Sequence, residues 1–186
     1  MRVIGGIAKG RQLAGPRTLG TRPTSDLVRE ALFDVIGPGI VGASFLDLYA
    51  GTGAVGVEAL SRGAAEAVFV EKSQAQARVI RDNLARTGLA DASQVMVMDV
   101  VRAAAILAAQ GARFQFVFMD PPYASRDLPR VIEAVAPLVS PGGWLIVEHA
   151  HSTEVFNPPG LMLKRRLRYG DTGITIMERH READRS

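Results

Sequence analysis

Between residues 45 and 148, short apolar runs alternate with stretches of helical periodicity, and that rhythm leaves few folds open. Phe45-Leu46-Asp47-Leu48-Tyr49 reads as a strand entering Gly51-Thr52-Gly53, and Ala54 to Arg62 reads as a helix. A second strand is expected over Ala67 to Val70, then a helix from Ser73 to Arg86 closed by Gly88. Val95 to Met98 and Phe114 to Met119 read as the third and fourth strands, with a helix from about Val101 to Ala109 between them. A helix around Leu128 to Pro137 leads through Pro141-Gly142-Gly143 to a fifth strand, Trp144 to Glu148. Such alternation calls for a parallel sheet with helices on both faces. The Phe114–Met119 run, apolar except for Gln115, fits a strand covered on both sides.

The two ends break the rhythm. Leu161 to Tyr169 and Ile174 to Arg179 are strand-like, with only Gly170-Asp171-Thr172-Gly173 between them. A parallel crossover needs about a dozen residues or more, so this pair must be an antiparallel hairpin. At the start, Arg2-Val3-Ile4 and Arg11-Gln12-Leu13 flank a Lys9-Gly10 turn and read as a small basic hairpin. A loop over 14–23 follows, and Thr24-Ser25-Asp26 offers an N-cap. Leu27, Val28, Ala31, Leu32, Val35 and Ile36 then recur at helical spacing as far as Gly37-Pro38-Gly39. The expected organisation is a hairpin and linker over 1–23, one α/β domain over 24–180, and a tail over 181–186.

At 186 residues the chain can bury a core without staples, and it has no cysteine for a disulfide framework, a thiolate nucleophile or a cysteine-ligated zinc. No apolar run reaches the roughly 18 residues of a membrane span, and Met1 to Gly6 lacks the apolar core of a signal peptide. A cytoplasmic monomer without a membrane partner is the expectation. The net charge of +3 is unevenly spread. Residues 1–24 carry Arg2, Lys9, Arg11, Arg17 and Arg22 and no acid, residues 25–159 carry 10 bases against 15 acids, and residues 160–186 carry 7 against 4. The densest basic run is Lys164-Arg165-Arg166-Leu167-Arg168. An acidic body with basic ends suits a polyanion held by the termini, and equally suits solvated ends of an ordinary domain.

Gly51-Thr52-Gly53-Ala54-Val55-Gly56 matches the dinucleotide fingerprint, and Glu71 lies 20 residues beyond Gly51, where an acid can bind ribose hydroxyls. An NAD-dependent enzyme is therefore one reading. Asp47 argues against it, because a carboxylate before the glycines opposes a pyrophosphate and suits a cationic amino group. Met98-Asp99, at the end of the third strand, places Asp99 for an adenine amino group, or simply as a helix N-cap. Asp120-Pro121-Pro122-Tyr123 closes the fourth strand at the carboxyl edge, where ligands bind in open α/β sheets. Its prolines fix the turn and remove two donors. A carboxylate and a carbonyl then face an N–H₂ group beside an aromatic ring; the alternative is an ordinary strand-ending turn.

Together Asp47-Leu48-Tyr49-Ala50-Gly51-Thr52-Gly53, Glu71, Asp99 and Asp120-Pro121-Pro122-Tyr123 resemble the ordered motifs of S-adenosylmethionine-dependent amino-methyltransferases. Arg2-Val3-Ile4-Gly5-Gly6 and the run from Arg22 to Phe33 resemble the RsmD group within them, bacterial enzymes that methylate the exocyclic N2 of a guanine in small-subunit (16S) ribosomal RNA. The likeness covers residues 2 to about 179. It implies a Rossmann-like class I methyltransferase fold with a mostly parallel sheet of about seven strands ending in the antiparallel hairpin. It also implies that Asp47, Ala50, Gly51 and Gly53, with Arg22, Thr24 and Asp26, hold the methionine part of S-adenosylmethionine. Glu71 would take the ribose, Asp99 and Val100 the adenine, and Asp120, Pro121, Pro122 and Tyr123 the target base. The implied partner is small-subunit ribosomal RNA, naked or in an assembled small subunit. Arg2, Lys9, Arg11 and Arg17 at one end, and Lys164 and Arg166 at the other, are the candidate RNA contacts, the N-terminal segment being one that can order on meeting RNA.

Rival readings are a DNA adenine-N6 methyltransferase, for which the chain has no room for a DNA-reading domain, and a non-catalytic RNA-binding module. A protein-glutamine methyltransferase would carry N-P-P-Y instead. His149-Ala150-His151 after Glu148 reads as a short loop rather than a metal site, and Trp144 reads as core or strand-edge packing.

Overall fold

The computed structural model describes residues 1–15, 26–122 and 127–180. Arg17, Arg22, Thr24, Tyr123, most of the linker and the tail over 181–186 lie outside the described residues. Two compact units make up the chain, Met1–Val100 and Val101–Ser186. The first contains α1 (Asp26–Ile36), β1 (Ser44–Leu48), α2 (Ala54–Ser61), β2 (Glu66–Val70), α3 (Gln74–Thr87) and β3 (Ser93–Met96). The second contains nearly all of α4 (Val100–Ala109), then β4 (Phe114–Met119), α5 (Leu128–Val135), β5 (Val139–Ala150), β6 (Leu161–Tyr169) and β7 (Thr172–Arg179). The strands are ordered β3-β2-β1-β4-β5-β7-β6 in one seven-stranded sheet.

Within the first unit β1 pairs parallel with β2 and β2 with β3, and Asp47 stands opposite Phe69. Phe45, Leu46, Leu48, Phe69 and Val70 are fully buried, as the apolar runs require when helices cover a parallel sheet. The helix ends follow their local chemistry. Ser73 caps α3 through the Gln76 N–H, and Gly88 closes that helix in the left-handed region at φ 69°. In the second unit β4 and β5 are parallel, and β5–β7 and β7–β6 are antiparallel, so the terminal pair is the expected hairpin.

Four local expectations are corrected. β5 begins at Val139, not Trp144, because Pro141-Gly142-Gly143 forms a bulge inside the strand. Gly142 there has φ 73°, and a Cβ on Gly143 would come within 2.8 Å of the Gln115 carbonyl oxygen. At its other end β5 runs on to Ala150 by pairing with β7, so His149 lies on a strand, not on a loop. β3 ends at Met96, so Asp99 immediately precedes α4 instead of ending a strand. The final hairpin turns on Gly170-Asp171 alone, with Tyr169 paired to Thr172; the φ of 61° at Gly170 supplies the bend.

Candidate functional site

The first candidate site is the loop between β1 and α2. Gly51 and Gly53 have φ of 55° and 74°, and Tyr49 sits in the same left-handed region at 58°. A non-glycine residue there costs about 1 kcal/mol and marks a strained turn. Sequence reading singled out the glycines and passed over Tyr49, whose conformation leaves no trace in composition. A Cβ on Gly51 would meet nothing closer than 3.9 Å, so that position opens outward. On Gly56 it would come within 2.3 Å of the Phe69 ring, so this third glycine serves helix–sheet packing.

Asp47 lies beneath this turn, 1% exposed, and its Oδ2 accepts the Gly56 N–H at 2.9 Å. Gly56 is in the first turn of α2, where N–H groups lack helical partners, so Asp47 caps the helix from the strand. Burial pushes its carboxyl up to about 8, the Gly56 N–H opposes the rise, and the negative charge of Glu71 adds to it. A cation seated beside this carboxyl would favour its ionised form and draw off the proton.

Glu71 bridges two loops. Its Oε2 accepts the Gly51 N–H at 2.9 Å and its Oε1 the Ser73 N–H at 2.8 Å. Each carboxylate oxygen keeps a second acceptor direction. Asp99 is exposed before α4, and Val100 beside it is buried as the first residue of that helix. Asn83 escaped sequence reading because a lone polar residue in an amphipathic helix gives no signal. Fully buried on α3, it donates to the Thr52 carbonyl at 2.9 Å and accepts the Ala14 N–H at 2.7 Å, so it fastens the glycine turn to the N-terminal segment.

That segment is a compact antiparallel turn, with a bridge between Arg2 and Gln12. It is already anchored in the protein alone. Glu58 of α2, fully buried, accepts the N–H groups of Ile4 at 2.8 Å and Gly5 at 2.7 Å, and it pairs with Arg62 at 2.7 Å and Arg29 at 3.5 Å. Arg29 in turn donates to the Arg2 carbonyl at 2.6 Å and to Asp26 at 3.0 Å. Asp26 thus serves as an ion-pair partner at the start of α1. Ser61 accepts the Ala8 N–H and donates to the Gly5 carbonyl. Gly6 is obligatory, since a Cβ there would lie 1.7 Å from the Ser61 carbonyl oxygen. Ordering on contact with RNA is therefore not needed for residues 1–15. Arg2, Lys9 and Arg11 are exposed on this anchored segment, though the Arg11 guanidinium also donates to the Arg86 carbonyl at the end of α3.

In the second unit Asp120 directly follows β4 and is half-buried, with Pro121 buried and Pro122 exposed after it. Lys164 contacts Glu178 and lies 5.0 Å over the Trp144 ring, which packs edge-on against Phe116 at 5.5 Å. Trp144 is thus strand-edge packing. Arg166 is exposed on β6. His149 is buried, its ring nitrogens 2.8 Å from Thr175 Oγ1 and from the Ala150 carbonyl oxygen.

Among the described residues no helix is long and apolar enough to cross a membrane. The family model described as Conserved hypothetical protein 95 matches residues 1–178. Ribosomal RNA small subunit methyltransferase D of Escherichia coli K12 is 40% identical over 80% of this chain and 71% of its own length. YlbH of Bacillus subtilis is 35% identical over 96% of this chain and 99% of its own. The solved structure of yhhF from Escherichia coli superposes with a TM-score of 0.82 at 35% identity, covering 98% of this chain and 99% of that one. By the family model, these identities and the shared Rossmann-like sheet, the chain belongs to the RsmD family.

Proposed function

We propose that this chain transfers a methyl group from S-adenosylmethionine to the exocyclic N2 of a guanine in small-subunit ribosomal RNA. The reading rests on one observation, a buried carboxyl suited to a cation beneath an open glycine turn, in a chain 40% identical to a ribosomal RNA small subunit methyltransferase D. The donor set fits the cofactor. Asp47, Ala50, Gly51 and Gly53 would hold its ammonium-bearing methionine part with Arg22, Thr24 and Asp26. Glu71 would take the ribose hydroxyls, and Asp99 with Val100 the adenine. When bound, S-adenosylmethionine supplies a methyl group on a positively charged sulfur.

The chain's own contribution is to hold and orient the acceptor. A guanine amine is conjugated to its ring and is a weak nucleophile, so positioning and exclusion of water must supply most of the rate. The Asp120 carboxylate and a carbonyl of the proline turn would accept the two amine hydrogens, and Tyr123 would stack on the base. The amine is out of reach inside a base pair, so the guanine must be unpaired or flipped. Incubating the protein with methyl-labelled cofactor and small subunits from an unmodified strain tests the reading. Label in the small-subunit RNA is expected; label only in a parallel reaction on unmethylated DNA, or none in either, would contradict it.

A further inference from the structure

The basic run on β6 is divided between two faces by a bulge. Leu163 stands opposite Met177 and Arg165 opposite Ile176, which leaves Lys164 as the extra residue. Before the bulge, Met162 opposes Glu178, which opposes Trp144 on β5. Beyond it, Arg166 opposes Thr175 and Arg168 opposes Gly173, which oppose Val147 and His149. Residues directly opposite share a face, and faces alternate along a strand. The bulge therefore turns Arg166 and Arg168 onto the His149 face and leaves Lys164 on the face of Trp144.

On the His149 face, Arg166 and Arg168 border a cavity of about 360 Å³ whose lining includes His151, Thr153 and Glu154. Its floor is closely built. The His149 ring lies over Gly173, where a Cβ would come within 2.6 Å of its Cε1. The Ala150 carbonyl can only accept, so Nδ1 carries the proton, and the Thr175 hydroxyl donates to Nε2. Burial, with Arg166 and His151 nearby, holds the imidazole below its usual pKa, and the hydrogen bond to Ala150 opposes that shift. The permanent cations of the cavity are thus the two guanidinium groups.

Position ties this cavity to the Asp120 turn. Met119 pairs with Val147, and His149 lies two residues further along β5 in the same direction as Asp120 beyond β4. Both sit at the carboxyl edge of the β4–β5 pair. We propose that the cavity holds a phosphodiester of the RNA strand next to the target base, an inference that rests on the ribosomal RNA reading above. Two guanidinium forks match the oxygens of a phosphate. Two arginines against one carboxylate, Glu154, leave a single excess positive charge, which suits a diester better than a doubly charged monoester.

Binding of an unmodified small-subunit ribosomal RNA transcript across a salt series tests the proposal, with S-adenosylmethionine affinity and thermal melting as controls. The double variant R166A/R168A should raise the RNA Kd roughly tenfold and flatten the log–log salt slope by about 0.7 for each phosphate it no longer neutralises. Arg166→Lys should restore the slope but only part of the affinity, because it keeps the charge and loses the fork. Gly173→Ala changes no charge, yet it should push the His149 ring into the cavity and weaken RNA binding several-fold at unchanged cofactor affinity. Thr175→Val, which frees the ring without adding volume beneath it, serves the same purpose if Gly173→Ala fails to fold. Wild-type affinity and slope in R166A/R168A, or a loss no larger than that of the exposed Arg130→Ala, would overturn the proposal alone. Where the unaltered protein binds only assembled small subunits from an unmodified strain, the same variants are compared on those; failure to bind either the transcript or the subunits would overturn the ribosomal RNA reading and this proposal with it.

Discussion

Asp47 on β1 accepts the backbone N–H of Gly56 on α2 at 2.9 Å, so one buried carboxyl both caps a helix and underlies the candidate cofactor turn. Its pKa of about 8 in the fold, against 3.8 for the ordinary side chain, fixes the sign of a pH effect. From about pH 4 to about pH 8 the unfolded chain has released this proton and the folded chain still holds it. The Asp47 contribution to stability is therefore full below pH 4 and is lost progressively as pH rises through 8. Thermal melts of the ligand-free protein and of Asp47→Asn across that range should show the fall in the first and a flatter profile in the second. If the cofactor's ammonium group seats beside Asp47, binding near pH 7 should release a proton, seen by calorimetry in buffers of different ionisation enthalpy and absent in Asp47→Asn. Matching profiles and no proton release would remove Asp47 from the site.

Glu58 anchors the N-terminal segment from a fully buried position, held by two backbone N–H groups and two arginines. Glu58→Ala would leave buried Arg29 with Asp26 as its only ion-pair partner among the described residues and would strip the Ile4 and Gly5 N–H groups of their acceptor, a loss of about 3–5 kcal/mol on the scale of broken buried pairs. Urea unfolding should show that loss, and Glu58→Gln should fall between the two. A change below about 1 kcal/mol would mean that the cluster contributes little beyond ordinary surface pairing.

Because residues 2–13 supply partners to Glu58 and Ser61, deleting them would disturb the fold as well as any RNA binding. Arg2→Ala with Lys9→Ala is the cleaner probe, since both side chains are exposed on an anchored segment. RNA affinity should drop and the salt slope should flatten by about 0.7 for each phosphate left without its cation, with cofactor affinity unchanged. An unaltered slope would place the RNA surface elsewhere.

The glycine turn, the β4 end and the final hairpin were legible because each rests on residue types with few other uses. Gly51 and Gly53 do take left-handed backbone, and the short Tyr169–Ile174 connection did force antiparallel pairing. What sequence did not show were interactions made by ordinary residues at long separation. Glu58 reads as a charge on a helix, and Asn83 as a polar interruption of α3. Their roles emerge only when Ile4, Gly5 and Ala14, more than 50 positions away, fold against them. The β6 bulge was hidden for a related reason: plain alternation puts Lys164 and Arg166 on one face, and one extra residue separates them.

Asp120→Ala should abolish most methyl transfer while leaving cofactor affinity and melting temperature near wild type, because its proposed role is toward the acceptor amine. Tyr123→Phe should retain much of the activity, since stacking needs the ring and not the hydroxyl, and Tyr123→Ala should lose it. Single-turnover assays with saturating cofactor read this directly. Normal turnover by Asp120→Ala would reduce Asp120-Pro121-Pro122-Tyr123 to a turn.

Identifying the methylated nucleoside tests transfer to the guanine N2 directly. Small subunits from an unmodified strain are treated with the protein and S-adenosylmethionine, and their RNA is digested and analysed by mass spectrometry against an untreated control. One new N2-methylguanosine per small-subunit RNA is expected with the unaltered protein and none with Asp120→Ala. A methyl group on an adenine, or on a guanine atom other than N2, would contradict it.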